Sequence, residues 1–232
     1  MKKLLLLSVL LIFACSSDDS SNDNNNNNSE LLNCDGNPVP TIVYGTQEWT
    51  VENACNITYR DGTPIPQVTD NTEWANLNTG AWCYYDNDPT KGKLYNGYAV
   101  AGIHDNDPNT PDKELAPEGW HVPSDEEWTT LEEYLISNGY NYDGTTTGGN
   151  KIGKAMASTT GWDSSSEAGA VGNNQSLNNS SGFNAFPEGI RYDGSFNYEG
   201  AHTWFWSSTE TDATYASNRA LRFSTIYMFR SY

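Results

Sequence analysis

Apolar residues recur at helical spacing in one clear place, near the middle of the chain. Trp128, Leu131 and Leu135 follow one another at i, i+3 and i+7, which places them on one stripe of a helix. Ser124 lies before that stripe and Glu127 follows three residues later, which is the spacing of a capping box. The pattern therefore predicts a helix that begins after Ser124 and docks on a sheet through its apolar stripe.

Shorter apolar and aromatic runs on both sides of this helix predict strands. Such runs occupy residues 41–44, 47–51, 81–85, 204–206 and 219–232. Asp193-Gly194 has the composition of a hairpin turn. Residues 93–101 fit a strand or a short helix equally well, and residues 71–77 and 151–157 are compatible with short helices. Residues 161–181 are small and polar, which favours a long irregular loop.

The first fourteen residues have the composition of an export signal. Lys2 and Lys3 precede an apolar run of about a dozen residues, which is too short for a membrane span of ~20. Ala14-Cys15 ends a segment that resembles a bacterial lipobox, although Phe13 is bulky for that motif. We therefore predict a signal peptide over residues 1–14 and lipidation of Cys15, with a soluble secreted protein as the alternative.

A polar segment follows, residues 15–33, and consists largely of Ser, Asp and Asn. It has almost nothing apolar to bury, so it cannot offset the entropy lost on ordering, and it predicts a disordered tether. The acidic residues directly after Cys15 resemble the signal that sends Bacteroidota lipoproteins to the cell surface. These features predict an outer-membrane protein that is held by its lipid anchor and faces the cell exterior.

The remaining residues, 34–232, are enough for one domain with a substantial core. The chain has a formal net charge of −18, and no basic stripe interrupts its acidic residues. Such a surface repels phosphate backbones, so we expect no nucleic-acid partner. Eight tryptophans and fourteen tyrosines among Gly, Asn, Ser and Thr favour a loop-rich extracellular domain with an aromatic core.

The cysteines and the acidic loop are the candidate sites for covalent bonds and metals. Cysteines of exported proteins normally pair, but Cys34, Cys55 and Cys83 cannot all pair internally. We favour a disulfide between Cys34 and Cys55. Within residues 104–114, Asp105, Asp107 and Asn109 fall at alternating positions as in a calcium loop, but Thr110 stands where that loop needs glycine, and no glutamate falls at its twelfth position. We therefore predict no metal or other cofactor, with calcium as the open alternative.

Several long motifs, among them YGTQEWTVEN, LYNGYAVAGIHDNDP, APEGWHVPSDEEW and FWSSTETD, resemble the Fibrobacter succinogenes major paralogous domain over Cys34 to Tyr232. This resemblance implies an α+β, C-type-lectin-like fold, similar to that of formylglycine-generating enzymes, with two helices, a small twisted antiparallel sheet and long loops. Gly97 departs from the family, which usually carries Trp there. Members typically continue into a further strand with a cysteine, which would be the natural partner of Cys83. We therefore expect the domain to be truncated at its C-terminus.

Some lectin-fold domains of this kind are targets of diversity-generating retroelements, and the C-terminal stretch resembles such a variable region. The resemblance implies that Arg219, Leu221 and Arg230 are scaffold positions. The variable, ligand-facing set would be Ser217, Asn218, Ala220, Arg222, Ser224, Thr225, Ile226, Tyr227, Phe229 and Tyr232.

Three functions compete on this reading. The leading hypothesis is a surface-anchored, non-catalytic module that recognises a protein or glycan through its C-terminal loop face. A structural component of a cell-envelope assembly is the second. An enzyme of the formylglycine-generating type is the third, but that chemistry uses reactive cysteines near the C-terminus, and none of the three domain cysteines lies there. The chain also lacks a Ser-His-Asp pattern, a phosphate-binding glycine loop and an HExxH motif.

Overall fold

The structure, a computed structural model, describes residues 7–8, 14–16, 33–211 and 216–231. Most of the predicted signal peptide and tether, and also Tyr232, lie outside the described residues. The described part has an α+β fold, as predicted, in which short helices and small antiparallel sheets are joined by long loops.

The strands are β1 (Leu7–Ser8), β2 (Ala14–Ser16), β3 (Thr41–Tyr44), β4 (Gln47–Thr50), β5 (Trp82–Tyr84), β6 (Lys93–Tyr95), β7 (Ile190–Tyr192), β8 (Ser195–Asn197), β9 (His202–Glu210), β10 (Ala216–Arg222) and β11 (Phe229–Ser231). The α-helices are α1 (Asn71–Ala75), α2 (Gly97–Val100), α3 (Asp125–Ser137) and α4 (Gly153–Met156), and Tyr85–Asn87 and Gln175–Leu177 are 3₁₀ turns.

The strands of the described part form four sheets, in the orders β2-β4-β3, β5-β6, β1-β7-β8 and β11-β10-β9. The expectation of two helices and one small sheet was too simple, because the described residues form four α-helices and four sheets, and most of these elements are only two to five residues long. Residues 93–101 fitted two patterns because they contain both elements. Strand β6 ends at Tyr95, and the side chain of the next residue, Asn96, accepts a hydrogen bond from Ala99 N and caps α2.

Helix α3 begins at the predicted cap and buries the predicted stripe. Ser124 accepts from the N–H of Glu127, and the Glu127 carboxylate accepts from the N–H of Ser124, which completes the capping box. Trp128, Leu131 and Leu135 are fully buried. The indole of Trp128 packs 5.6 Å from the ring of Phe205 and donates a hydrogen bond to Trp206 O, so the helix is fixed to β9.

The sheet β9-β10-β11 lies between two hydrophobic cores. Phe205 and Leu221 belong to the larger core, together with the apolar stripe of α3. Trp206 belongs to a second core with Tyr95 and Tyr98, and Trp204 packs at the margin of that core. Successive side chains of a strand point to opposite sides, so β9 supplies both cores.

The predicted disulfide between Cys34 and Cys55 is present, with 5.2 Å between their Cα atoms. It crosslinks the chain on the two sides of the β3–β4 hairpin. Cys83 is a buried thiol in the larger core, and burial raises its pKa to about 11. It is therefore protonated and poorly nucleophilic at neutral pH.

The described part of the N-terminal region is short. Ala14–Ser16 pairs with β4 through Trp49, Glu48 and Gln47, and the Ala14 side chain is buried. No helix among the described residues combines the length and the apolar character needed to cross a membrane. Export, cleavage and lipidation at Cys15 stay predictions.

Candidate functional site

The side of the β9-β10-β11 sheet that carries His202 and Trp204 faces away from α3. In the strand register His202 is opposite Arg222, and Ala220 is paired with Trp204 on one side and with Phe229 on the other. Side chains of directly paired residues project from the same face of a sheet. We call the surface formed by His202, Trp204, Ala220, Arg222 and Phe229 the outer face.

Aromatic rings make up most of the outer face and its edge. The rings of Tyr198 and His202 stack with centroids 4.8 Å apart and planes 8° apart, and the rings of His202 and Trp204 lie 4.9 Å apart. Phe229 contacts Tyr227 with 5.3 Å between centroids. Tyr198 is 53% exposed and Tyr227 is 44% exposed, so both ends of this aromatic surface reach solvent.

Arg222 is the cationic group of the outer face. Its guanidinium carbon lies 4.1 Å from the centroid of the Phe229 ring, which holds the planar group in a cation–π stack. Its buried Nε atom has no hydrogen-bond partner. No ion pair among the described residues involves Arg222, although the chain has 30 acidic residues.

His202 shares the face with this cation and is affected by it. Burial and the positive charge of Arg222 together lower the pKa of His202 from its ordinary value of 6.5. The imidazole is therefore neutral at pH 7. Its Nδ1 atom is buried without a hydrogen-bond partner. The outer face accordingly combines one fixed positive charge with neutral aromatic rings.

Residues outside the β10–β11 turn hold the backbone of that turn in place. Gly153 N donates to Ile226 O at 3.0 Å, Val171 N donates to Thr225 O at 3.0 Å, and Gly172 N donates to Phe223 O at 2.7 Å. A Cβ atom on Gly153 would lie 2.9 Å from Ile226 O, so this close approach requires glycine.

Asn150 fixes the end of the same turn. Its side-chain amide donates to Met228 O, and its amide oxygen accepts from Met228 N. The conformation of the turn thus depends on hydrogen bonds to its main chain, while Ser224 and Tyr227 present exposed side chains.

The ten residues predicted from sequence to face a ligand are not equally accessible. Ser224 and Tyr227 are exposed, and Arg222, Thr225, Ile226 and Phe229 are half-buried. Ser217, Asn218 and Ala220 are buried, so they would contact a ligand only if neighbouring side chains moved. Tyr232 lies outside the described residues. The ligand-binding role of the set stays a prediction.

Two of the three predicted scaffold residues, Arg219 and Leu221, are buried on the side facing α3. The third, Arg230, pairs with Asp125 at the start of that helix. Sequence reasoning did not single out His202 or Trp204, which project from the neighbouring strand, or Tyr198. The alternation in HTWFW was visible in the sequence, but only the pairing of β9 with β10 brings these rings beside Arg222.

In the candidate calcium loop, the acidic side chains accept hydrogen bonds from backbone N–H groups of the same loop. The Asp105 carboxylate accepts from Asp107 N, and the Asp107 carboxylate accepts from Asn109 N. In the described part of the chain, no three His, Cys, Asp or Glu side chains cluster in a way that could hold a metal ion.

The motif from Gly119 to Trp128 contains the N-terminal cap of helix α3. His121 Nε2 lies 2.6 Å from a carboxylate oxygen of Glu127, the residue that completes the capping box. Burial of Glu127 favours its neutral form, but the contacts with His121 and Ser124 outweigh burial and lower its pKa. This His–Glu pair therefore stabilises a helix cap, and the geometry gives it a structural role.

Residues 42–232 match the family described as the Fibrobacter succinogenes major domain. The chain belongs to this family. The match to the Fibrobacter succinogenes major domain begins in β3 and includes α3 and the outer face. Neither a curated protein nor a solved structure matches the chain.

Proposed function

We propose that this Fibrobacter succinogenes major domain is a non-catalytic recognition module that binds a protein or glycan through its outer face and the β10–β11 turn. The observation that carries the proposal is the half-buried Arg222, whose guanidinium is stacked on an aromatic ring and has no acidic partner among the described residues.

The composition of this surface supports binding. Recognition surfaces are enriched in Tyr, Trp and Arg, and Tyr and Trp offer large contact areas with few rotatable bonds. Here Tyr198 and Trp204 contact His202, which is opposite Arg222 in the strand register, and Tyr227 contacts Phe229, on which Arg222 stacks. These ring contacts restrict the side chains, so less side-chain entropy remains to be lost when a ligand binds.

The turn between β10 and β11 is suited to sequence variation. Its main chain is held by hydrogen bonds from Gly153, Val171, Gly172 and Asn150. Exchanges of the side chains at Ser224 and Tyr227 would leave these hydrogen bonds in place. We therefore keep diversification by a retroelement as part of the proposal. It concerns the accessible positions Arg222, Ser224, Thr225, Ile226, Tyr227 and Phe229, with a C-type-lectin-like scaffold beneath them.

The proposed module is attached to the outer membrane by acyl chains on Cys15 and faces the cell exterior. The apolar leader, the lipobox-like end and the acidic residues after it support this placement. The state of the cysteines supports a role without catalysis. Cys34 and Cys55 are joined, and burial keeps Cys83 in its thiol form.

Binding is tested with the detergent-solubilised full chain on glycan and protein arrays. Tyr227→Ser should weaken the strongest signal by about tenfold, since it removes an exposed interface anchor worth ~1.4 kcal/mol. Tyr142→Ser is the matched control, because Tyr142 is 43% exposed but lies outside the outer face and its edge. Arrays without any signal, or equal losses in the two variants, would contradict the proposal.

Diversification is tested separately by sequencing the locus in many isolates. We expect codons 222, 224–227 and 229 to vary more than the codons of helix α3 and than that of Met228, whose side chain is buried. Equal variation in the two segments would remove the retroelement from the proposal and leave ligand binding untouched.

A further inference from the structure

Arg222 differs from the other arginines of the described part in having no hydrogen-bond acceptor. Arg60 donates to carbonyl oxygens, and so does the buried Arg191. Arg219 and Arg230 both pair with Asp125. Arg222 instead contacts the ring of Phe229, and its positive charge helps to lower the pKa of His202. In a chain with 30 acidic and 12 basic residues, an arginine without an acid stands out.

The position of Arg222 makes its guanidinium a preorganised anion site. Stacking on Phe229 covers one face of the planar group, and its N–H donors, among them the unpartnered Nε, are of the kind that bind carboxylates. Because the stack already restricts the side chain, a bound anion would cost less rotamer entropy than at a mobile lysine. The neutral His202 beside it adds no second charge.

The surroundings indicate what else the ligand must contain. The rings of Trp204 and Tyr198 both contact His202, the residue opposite Arg222 in the strand register, and their centroids lie 5.6 Å apart. The apolar face of a pyranose ring stacks on such rings. A polyacidic peptide would instead be repelled by a protein of net charge −18. A sugar with a single carboxylate limits that repulsion and still uses the guanidinium.

We propose that Arg222 binds the carboxylate of an acidic sugar, a uronic or sialic acid, whose ring lies against Trp204 and Tyr198. This inference rests on the proposed recognition function and names the ligand class of the same surface. It assigns anion binding to Arg222 and sugar-ring stacking to Trp204 of β9 and Tyr198 of the preceding loop.

The test compares each acid with its own neutral derivative. The full chain in detergent is titrated calorimetrically with a panel of uronic- and sialic-acid oligosaccharides, each paired with its methyl ester. We expect at least one acid to bind about tenfold more tightly than its ester, the ratio that corresponds to one charge-assisted contact of ~1.4 kcal/mol. The ratio should fall as salt is raised.

Variants then assign the preference to one residue. Arg222→Gln should reduce the acid-to-ester ratio to about one while the ester still binds, and Arg222→Lys should retain part of it because the charge remains. Lys113→Gln removes one charge from the acidic loop, where Lys113 pairs with Asp61, and should leave the ratio unchanged. Retained ester binding also shows that the Arg222 variant is folded.

The outcomes separate this inference from the proposed function. An acid preference that survives Arg222→Gln overturns the inference. The inference is also overturned if the protein binds only neutral glycans or peptides and Trp204→Ala weakens that binding. In that case the recognition function still stands. If the arrays and the titrations are both silent, the recognition function fails and the inference fails with it.

Discussion

Arg219 and Arg222 lie three residues apart in the same strand, yet their surroundings are opposite. Arg219 is 1% exposed, and it donates to the Asp125 carboxylate at 2.6 Å and to the Glu132 carboxylate at 2.5 Å. Arg222 is half-buried on the outer face and has an aromatic ring as its partner. One residue type therefore serves two purposes within one strand.

The comparison shows that a buried arginine with acid partners belongs to the scaffold. Asp125 is the first residue of α3, and it also pairs with Arg230 of β11. Burial alone would raise the pKa of Asp125, but its contacts with Arg219 and Arg230 outweigh burial and lower it. Burial raises the pKa of Glu132 despite the contact with Arg219. These ion pairs join the helix to the strands beneath the outer face.

The largest effect should come from removing the scaffold arginine. Arg219→Met leaves the Glu132 carboxylate buried without its cation, so we expect the free energy of unfolding to fall by about 3–5 kcal/mol. Arg222→Met should change it by no more than about 1 kcal/mol, because the site is partly exposed and carries no ion pair. Urea denaturation of the two variants measures the difference. Similar losses would mean that the two faces do not differ as described.

The next effect concerns Asp125 and acid. Asp125→Asn should destabilise the protein by about 2 kcal/mol, because a neutral amide replaces a charge-assisted acceptor of two arginines. The folded-state pKa of Asp125 is lowered, so its contribution is complete above about pH 4 and is lost as the pH falls through the folded value. The variant should accordingly lose less stability than the wild type between about pH 4 and pH 2. Equal losses of stability in the two proteins over this pH range would contradict this prediction.

A smaller effect is expected at the cap that positions Asp125. Ser124→Ala removes the side-chain acceptor for Glu127 N and should cost about 1 kcal/mol. Thr130→Ala, at an exposed position of the same helix, should cost less than about 0.5 kcal/mol. Thermal unfolding of both variants checks the ranking.

The smallest effect is electrostatic and lies on the outer face. Arg222→Gln removes the charge that helps to lower the pKa of His202, so the pKa should rise toward 6.5 without reaching it, because burial remains. NMR titration of the His202 ring measures the change, with Lys113→Gln as the control. An unchanged titration would mean that Arg222 does not act on His202.

Local sequence patterns predicted several elements correctly. The capping box and the spacing of Trp128, Leu131 and Leu135 determine α3, and Asp193-Gly194 forms the turn between β7 and β8. Asp193 has a φ of 48° and Gly194 a φ of 78°, the left-handed conformations that such a two-residue turn requires.

Long-range relations were harder to predict. The alternation in His202 to Trp206 identifies two faces, but it does not show which face another element covers. That depends on α3 docking on one side and on the second core covering the Trp206 end of the other. For the same reason the buried position of Ala220, within a stretch that looked ligand-facing, could not be predicted from the sequence.

The crosslink between Cys34 and Cys55 also has a mechanical consequence. Tension that reaches Cys34 along the preceding chain can pass through the sulfur–sulfur bond directly to Cys55. The hairpin of β3 and β4 lies between these two cysteines and is therefore bypassed. If Cys15 carries the proposed lipid anchor, tension on that anchor would load the domain at residue 55, and the hairpin would keep its shape.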